Sequence, residues 1–89
     1  MKSVATKRFW SCFDALPESV QRQAKTAYTL WLADPSHRSL EFKQVHPSRP
    51  IFSVRIGLRW RAIGTRDGDT FVWVWIGSHS DYDKLLTRV

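Results

Sequence analysis

Eighty-nine residues make one domain of ordinary size, expected over 1–89, and leave no length for a second. A hydrophobic share of 43% beside 25% charged residues is near the globular average, which excludes a disordered tract, a collagen-like repeat and a bare coiled coil. Fourteen Lys and Arg against eight Asp and Glu leave a net charge of +6, a balance that suits a polyanion such as nucleic acid. The single cysteine, Cys12, excludes an internal disulfide and a multi-cysteine zinc site and fits a reducing, cytoplasmic setting. No apolar run reaches 18 residues and no apolar stretch follows the charged N-terminus, so neither membrane spanning nor secretion is expected.

Phe9, Phe13 and Leu16 recur at helical spacing and predict a short helix over 6–15. A second helix starts near Pro17, where proline suits the first turn and Glu18 suits the positive end of the dipole. Its apolar stripe runs through Val20, Ala24, Ala27 and Trp31, widened by Tyr28 and Leu32, and Asp34-Pro35 stops it. Four strands follow: 40–43, 52–56, 60–64 and 70–76, with Asp67-Gly68 as a hairpin signal before the last. Ser80, with Asp83 three residues on, caps a final helical turn or two through Leu85 and Leu86. The predicted architecture is α+β in two layers: two N-terminal helices on a curved four-stranded antiparallel sheet, then a short C-terminal helix.

An odd loop, Gly57 to Arg59, pairs Ile56 with Trp60 and Val54 with Ala62, burying all four and setting Arg55 directly opposite Arg61 on the other face. An even loop would press charges into the core. Two facing guanidinium groups repel unless an anion lies between them, so the pair is a candidate phosphate clamp. Lys43 adds charge if its face matches that of Arg55. In the last strand, strict alternation puts Val72, Val74 and Ile76 on one side and Phe71, Trp73 and Trp75 on the other. Core packing explains Phe71 and Trp73, whereas Trp75, nearest the loop carrying His79, stays open as a base-stacking residue.

Cleaving RNA requires a proton taken from the 2′-hydroxyl, charge stabilised on the phosphorane and a proton given to the 5′-oxygen. Histidine suits either proton transfer near neutral pH, and the last strand delivers His79 and Tyr82 close to Arg61. The bland reading stands beside this one: His79 as a capping or surface residue, and the arginines as a grip for an acidic protein segment.

Leu16-Pro17-Glu18-Ser19-Val20, Asp34-Pro35, Leu40-Glu41-Phe42-Lys43, Ser53-Val54-Arg55, Trp60-Arg61-Ala62 and Trp75-Ile76-Gly77-Ser78-His79-Ser80-Asp81-Tyr82-Asp83, taken together, resemble the RelE/ParE superfamily of bacterial toxins. The resemblance covers essentially the whole chain. It implies a microbial RNase-like fold and the toxin of a type II toxin-antitoxin pair, a metal-independent, cofactor-free endoribonuclease that cuts mRNA on the ribosome and is silenced by a cognate antitoxin. By that resemblance Arg61 binds the phosphate, Lys43 and Arg55 are further basic residues of the site, His79 stands where the family has an arginine, and Tyr82 answers its near-terminal tyrosine at shorter spacing. Relatives that inhibit DNA gyrase, or a domain that only binds its antitoxin, are the alternatives the same resemblance allows.

Overall fold

The computed structural model describes residues 2–87; Met1, Arg88 and Val89, the ends of the expected domain, lie outside them. Helix α1, Lys7–Asp14, starts where the Thr6 hydroxyl accepts the Phe9 N–H, a side-chain cap for one otherwise unmatched donor. Helix α2, Glu18–Ala33, follows, and Gln21 ties the two by donating to the Phe13 and Leu16 carbonyls at 3.0 and 3.3 Å. Val20, Ala24 and Trp31 are buried as the stripe requires, but Tyr28 and Leu32 are exposed, so the buried stripe is narrower than expected.

The sheet differs from expectation in count and direction. Strands β1 (Lys2–Ala5), β2 (Lys43–Gln44), β3 (Ile51–Ile56), β4 (Trp60–Asp67) and β5 (Thr70–Ser78) form one sheet in the order β1-β5-β4-β3-β2. Strand β1 runs parallel to β5, so five strands in a mixed sheet replace the expected four antiparallel ones. Four residues without an alternating pattern gave no strand signal; β1 is fixed by its partner, and Trp73 Nε1 donates to Ser3 Oγ at 3.0 Å. The strand expected over 40–43 is instead a 3-10 turn, Arg38–Leu40, then Glu41 in the left-handed region, then the two residues of β2.

The β3–β4 hairpin has the odd register, with Ile56 facing Trp60, Val54 facing Ala62 and Arg55 facing Arg61. Three of its four apolar members are fully buried and Trp60 partly so. Between β4 and β5 the ladder slips at Ile63/Gly64: Gly64 pairs with Trp73 and Ile63 with Trp75, leaving Val74 as an extra residue. Such a bulge reverses the alternation beyond it. Hence Phe71 and Trp73 share the core face with Ile76, while Trp75 crosses to the opposite one, correcting the assignment of all three aromatics to one side. A Cβ at Gly64 would stand 2.1 Å from the Phe71 ring, so only glycine lets that ring cross the strand there.

Trp31 lies at the centre of the aromatic core, its ring 5.1 Å from Phe71, 5.0 Å from Trp73 and 5.8 Å from Phe42. Helix α3, His79–Leu86, packs on the other side of the sheet, through Tyr82 and the apolar hollow that Leu85 and Leu86 share with Ile63 and Val74. The molecule therefore has a partial third layer in place of two. Ser78, not Ser80, caps α3, accepting from the Asp81 N–H at 3.1 Å. Among the described residues no helix is long and apolar enough to cross a membrane.

Candidate phosphate-binding site

Directly opposed residues of an antiparallel pair share a face, so the face away from α1 and α2 carries two cross-strand rows. One is Arg55, Arg61 and Gly77; the other is Lys43, Ser53, Ile63 and Trp75. Arg55 and Arg61 therefore project from one surface as the register predicts, and Lys43 and Trp75 share it. The Trp75 indole reaches forward along β5 to Gly77, where a Cβ would stand 2.5 Å from it, which brings the ring beside the arginine row.

The anion expected between the two guanidinium groups is present, and it belongs to the chain itself. Glu41 accepts from Arg55 Nη1 at 2.5 Å through one oxygen and from Arg61 Nη2 at 2.9 Å through the other. These two hydrogen bonds hold its carboxyl down at about 2, from an ordinary 4.5. Arg55 is further fixed by an Nε bond of 2.8 Å to the Gly57 carbonyl. Arg61 is less well served: its side chain is only 7% exposed, and its Nε and Nη1 are buried with no hydrogen-bond partner. A guanidinium has five N–H donors and no means of shedding its charge, so two idle nitrogens in a buried position are costly.

From Arg61 the site continues along α3. The Arg61 guanidinium carbon lies 5.4 Å from the centroid of the Tyr82 ring, and that ring is 5.7 Å from the imidazole of His79. Tyr82 is buried and its hydroxyl donates to Ser53 Oγ at 3.2 Å, so the phenol is committed to the interior. His79 is half exposed, its backbone N–H bonded to the Arg59 carbonyl at 2.6 Å and its Nε2 3.6 Å from an Asp83 oxygen. Arg55, Arg61, Tyr82 and His79 thus form one contiguous run. Lys43 and Trp75 lie on the same face, with no hydrogen bond or ion pair joining either to that run among the described residues.

Glu41 is the member that sequence reasoning passed over. Its signal was parity: two residues before Lys43, which pairs with Ser53, it falls on the face of Arg55, where a lone carboxylate opposite two arginines is a natural counterion.

A family model for a ParE-like toxin domain matches residues 18–84. No curated protein matches the sequence. Among solved structures, a chain of the RelB-RelE antitoxin-toxin complex from Methanococcus jannaschii is similar at TM-score 0.72 and 18% identity, over 91% of this chain and 96% of that one. YafQ from E. coli strain BL21(DE3) is similar at TM-score 0.74 and 10% identity, over 92% and 98%. The YoeB/ParE toxin from Agrobacterium tumefaciens is similar at TM-score 0.67 and 14% identity, over 89% and 99%. At these identities the likeness is one of fold.

Proposed function

The chain belongs to the ParE-like toxin family, and on that footing we propose that it is the toxin of a toxin-antitoxin pair that cuts messenger RNA on the ribosome. The observation that carries this reading is the buried Arg61 guanidinium, with two unmatched nitrogens, facing Arg55 on the surface that leads to His79. A phosphodiester supplies the oxygens those donors lack, and two cations at one phosphorus stabilise the extra negative charge of a pentacovalent transition state.

In this mechanism the 2′-oxygen attacks phosphorus in line and the bond to the 5′-oxygen breaks, leaving a cyclic 2′,3′-phosphate and a 5′-hydroxyl. Arg55 and Arg61 hold the phosphate, and His79, half exposed at the start of α3, carries one of the two proton transfers. Tyr82, its hydroxyl already donated to Ser53, acts through its ring, which lies against both Arg61 and His79. Trp75 offers a flat surface to an unpaired base, and Lys43 a charge for the flanking backbone. The partners are the ribosome with its mRNA, in the cytoplasm, and a cognate antitoxin. A toxin-antitoxin complex among the similar structures supports the last of these.

Primer extension on translated mRNA tests the reading. The wild-type protein is expected to leave cuts at defined codon positions, and His79→Ala to abolish them with the fold intact. A growth-arresting preparation that leaves mRNA whole would overturn it. The resemblance of the sequence allows one other reading, inhibition of DNA gyrase, which predicts a block of supercoiling with no RNA cut.

A further inference from the structure

Glu41 occupies the seat that the mechanism above assigns to the substrate. Its carboxylate is shared between Arg55 and Arg61, and it is 38% exposed, so solvent and ligands reach the contact. Three further observations bear on how firmly it is held. Glu41 is the one non-glycine residue with positive φ among those described, at φ 43 and ψ 45, a conformation that a residue with a Cβ adopts only at a cost. It lies between a single 3-10 turn and a strand of two residues, so little regular structure braces it. The carboxylate also leaves Arg61 Nε and Nη1 without partners, so it fills the seat incompletely.

We propose that Glu41 is a built-in stand-in for the phosphodiester, a displaceable anion that keeps the Arg55/Arg61 clamp shut until a phosphate group evicts it. The incoming group is a phosphate mono- or diester, whose oxygens reach donors that the single carboxylate leaves idle. The free protein then carries a bridged clamp, with one of its two positive charges offset, in place of two bare repelling cations. Every phosphate that binds must compete with a tethered carboxylate, which screens out weak or mispositioned anions. The inference rests on the reading of this face as a phosphate seat, not on RNA being cut there.

The test is the affinity of the folded protein for inorganic phosphate, followed by the side-chain N–H resonances of Arg55 and Arg61. If the latched form dominates the free protein, its removal in Glu41→Gln should tighten phosphate binding by about tenfold or more, because apparent affinity scales with the competent fraction. Asp81→Asn, which removes an equal charge from the exposed first turn of α3, should change it by less than about threefold, the scale of a screened surface charge. Equal gains in the two variants, or none in Glu41→Gln, would overturn the proposal. Should Glu41→Gln fail to fold, the wild-type protein answers alone: saturating phosphate must raise the titration midpoint of the Glu41 carboxyl from about 2 toward the ordinary range, and an unmoved midpoint is equally fatal. A wild type that cuts no RNA while Glu41→Gln gains phosphate affinity defeats the nuclease reading and leaves the latch standing. Cutting without that gain does the reverse.

Discussion

In strands β3, β4 and β5 the row Val54, Ala62, Ile76 and the row Arg55, Arg61, Gly77 are adjacent in register and face opposite ways. The first is sealed by helices and a cluster of rings around Trp31; its attraction has no direction, and it is satisfied wherever apolar surface leaves water. The second is held by directional bonds, some of which are unmade: Arg61 is as buried as the core yet has two nitrogens without acceptors. A core position is finished when it is packed, whereas a buried cation is finished only when every donor is matched. The unfinished face is where a ligand has something to add.

The sharpest way to break the comparison is to truncate the packed face. Phe71 is fully buried, crosses Gly64 and touches Trp31, Phe42, Phe52 and Trp73. Phe71→Ala is expected to cost about 3 to 5 kcal/mol, read as a lower denaturation midpoint with an unchanged slope. A loss below about 1 kcal/mol would mean that the cluster repacks and that burial there is not specific. A smaller effect is expected where the faces are joined through α3. Tyr82→Phe removes a hydroxyl bonded to the buried Ser53 and should cost about 1 to 2 kcal/mol. It keeps the ring beneath Arg61, so RNA cutting should survive; its loss would show that the phenol takes part in the chemistry.

How much of this was legible follows the same division. Both N-terminal helices, the Arg55–Arg61 opposition and the hairpin at Gly68 were readable because each rests on local spacing or on parity between two adjacent strands. Three of the departures depend on a partner remote in sequence. Strand β1 has no pattern of its own and is defined by β5 some seventy residues later. The bulge at Val74 depends on how Phe71 and Gly64 meet, so strict alternation misplaced Trp75 relative to Trp73. Glu41 looked like one more outward residue of an alternating strand, but two arginines 14 and 20 positions away hold it in a left-handed turn. Of the candidate site, the facing of Arg55 and Arg61 was legible and the carboxylate between them was not.

The finest expected effect concerns acid. The Glu41 carboxyl titrates at about 2 in the folded chain and near its ordinary 4.5 once unfolding frees it from Arg55 and Arg61. Between those values the unfolded chain has bound a proton that the folded chain refuses, so protonation favours unfolding as pH falls. The contribution is whole above about 4.5, declines through the window and is gone below about 2. Glu41→Gln has no such proton to bind. Its stability deficit against the wild type should therefore be greatest near neutral pH and should shrink steadily as the two are unfolded in urea at successively lower pH. Because Glu41 is partly exposed, salt should weaken the difference at every pH, as it does for solvated ion pairs. A gap between the two proteins that stays constant from neutral pH to below the window would place the stabilisation in the shape of the Glu41 turn. A gap that closes with acid places it in the charge that the two arginines share.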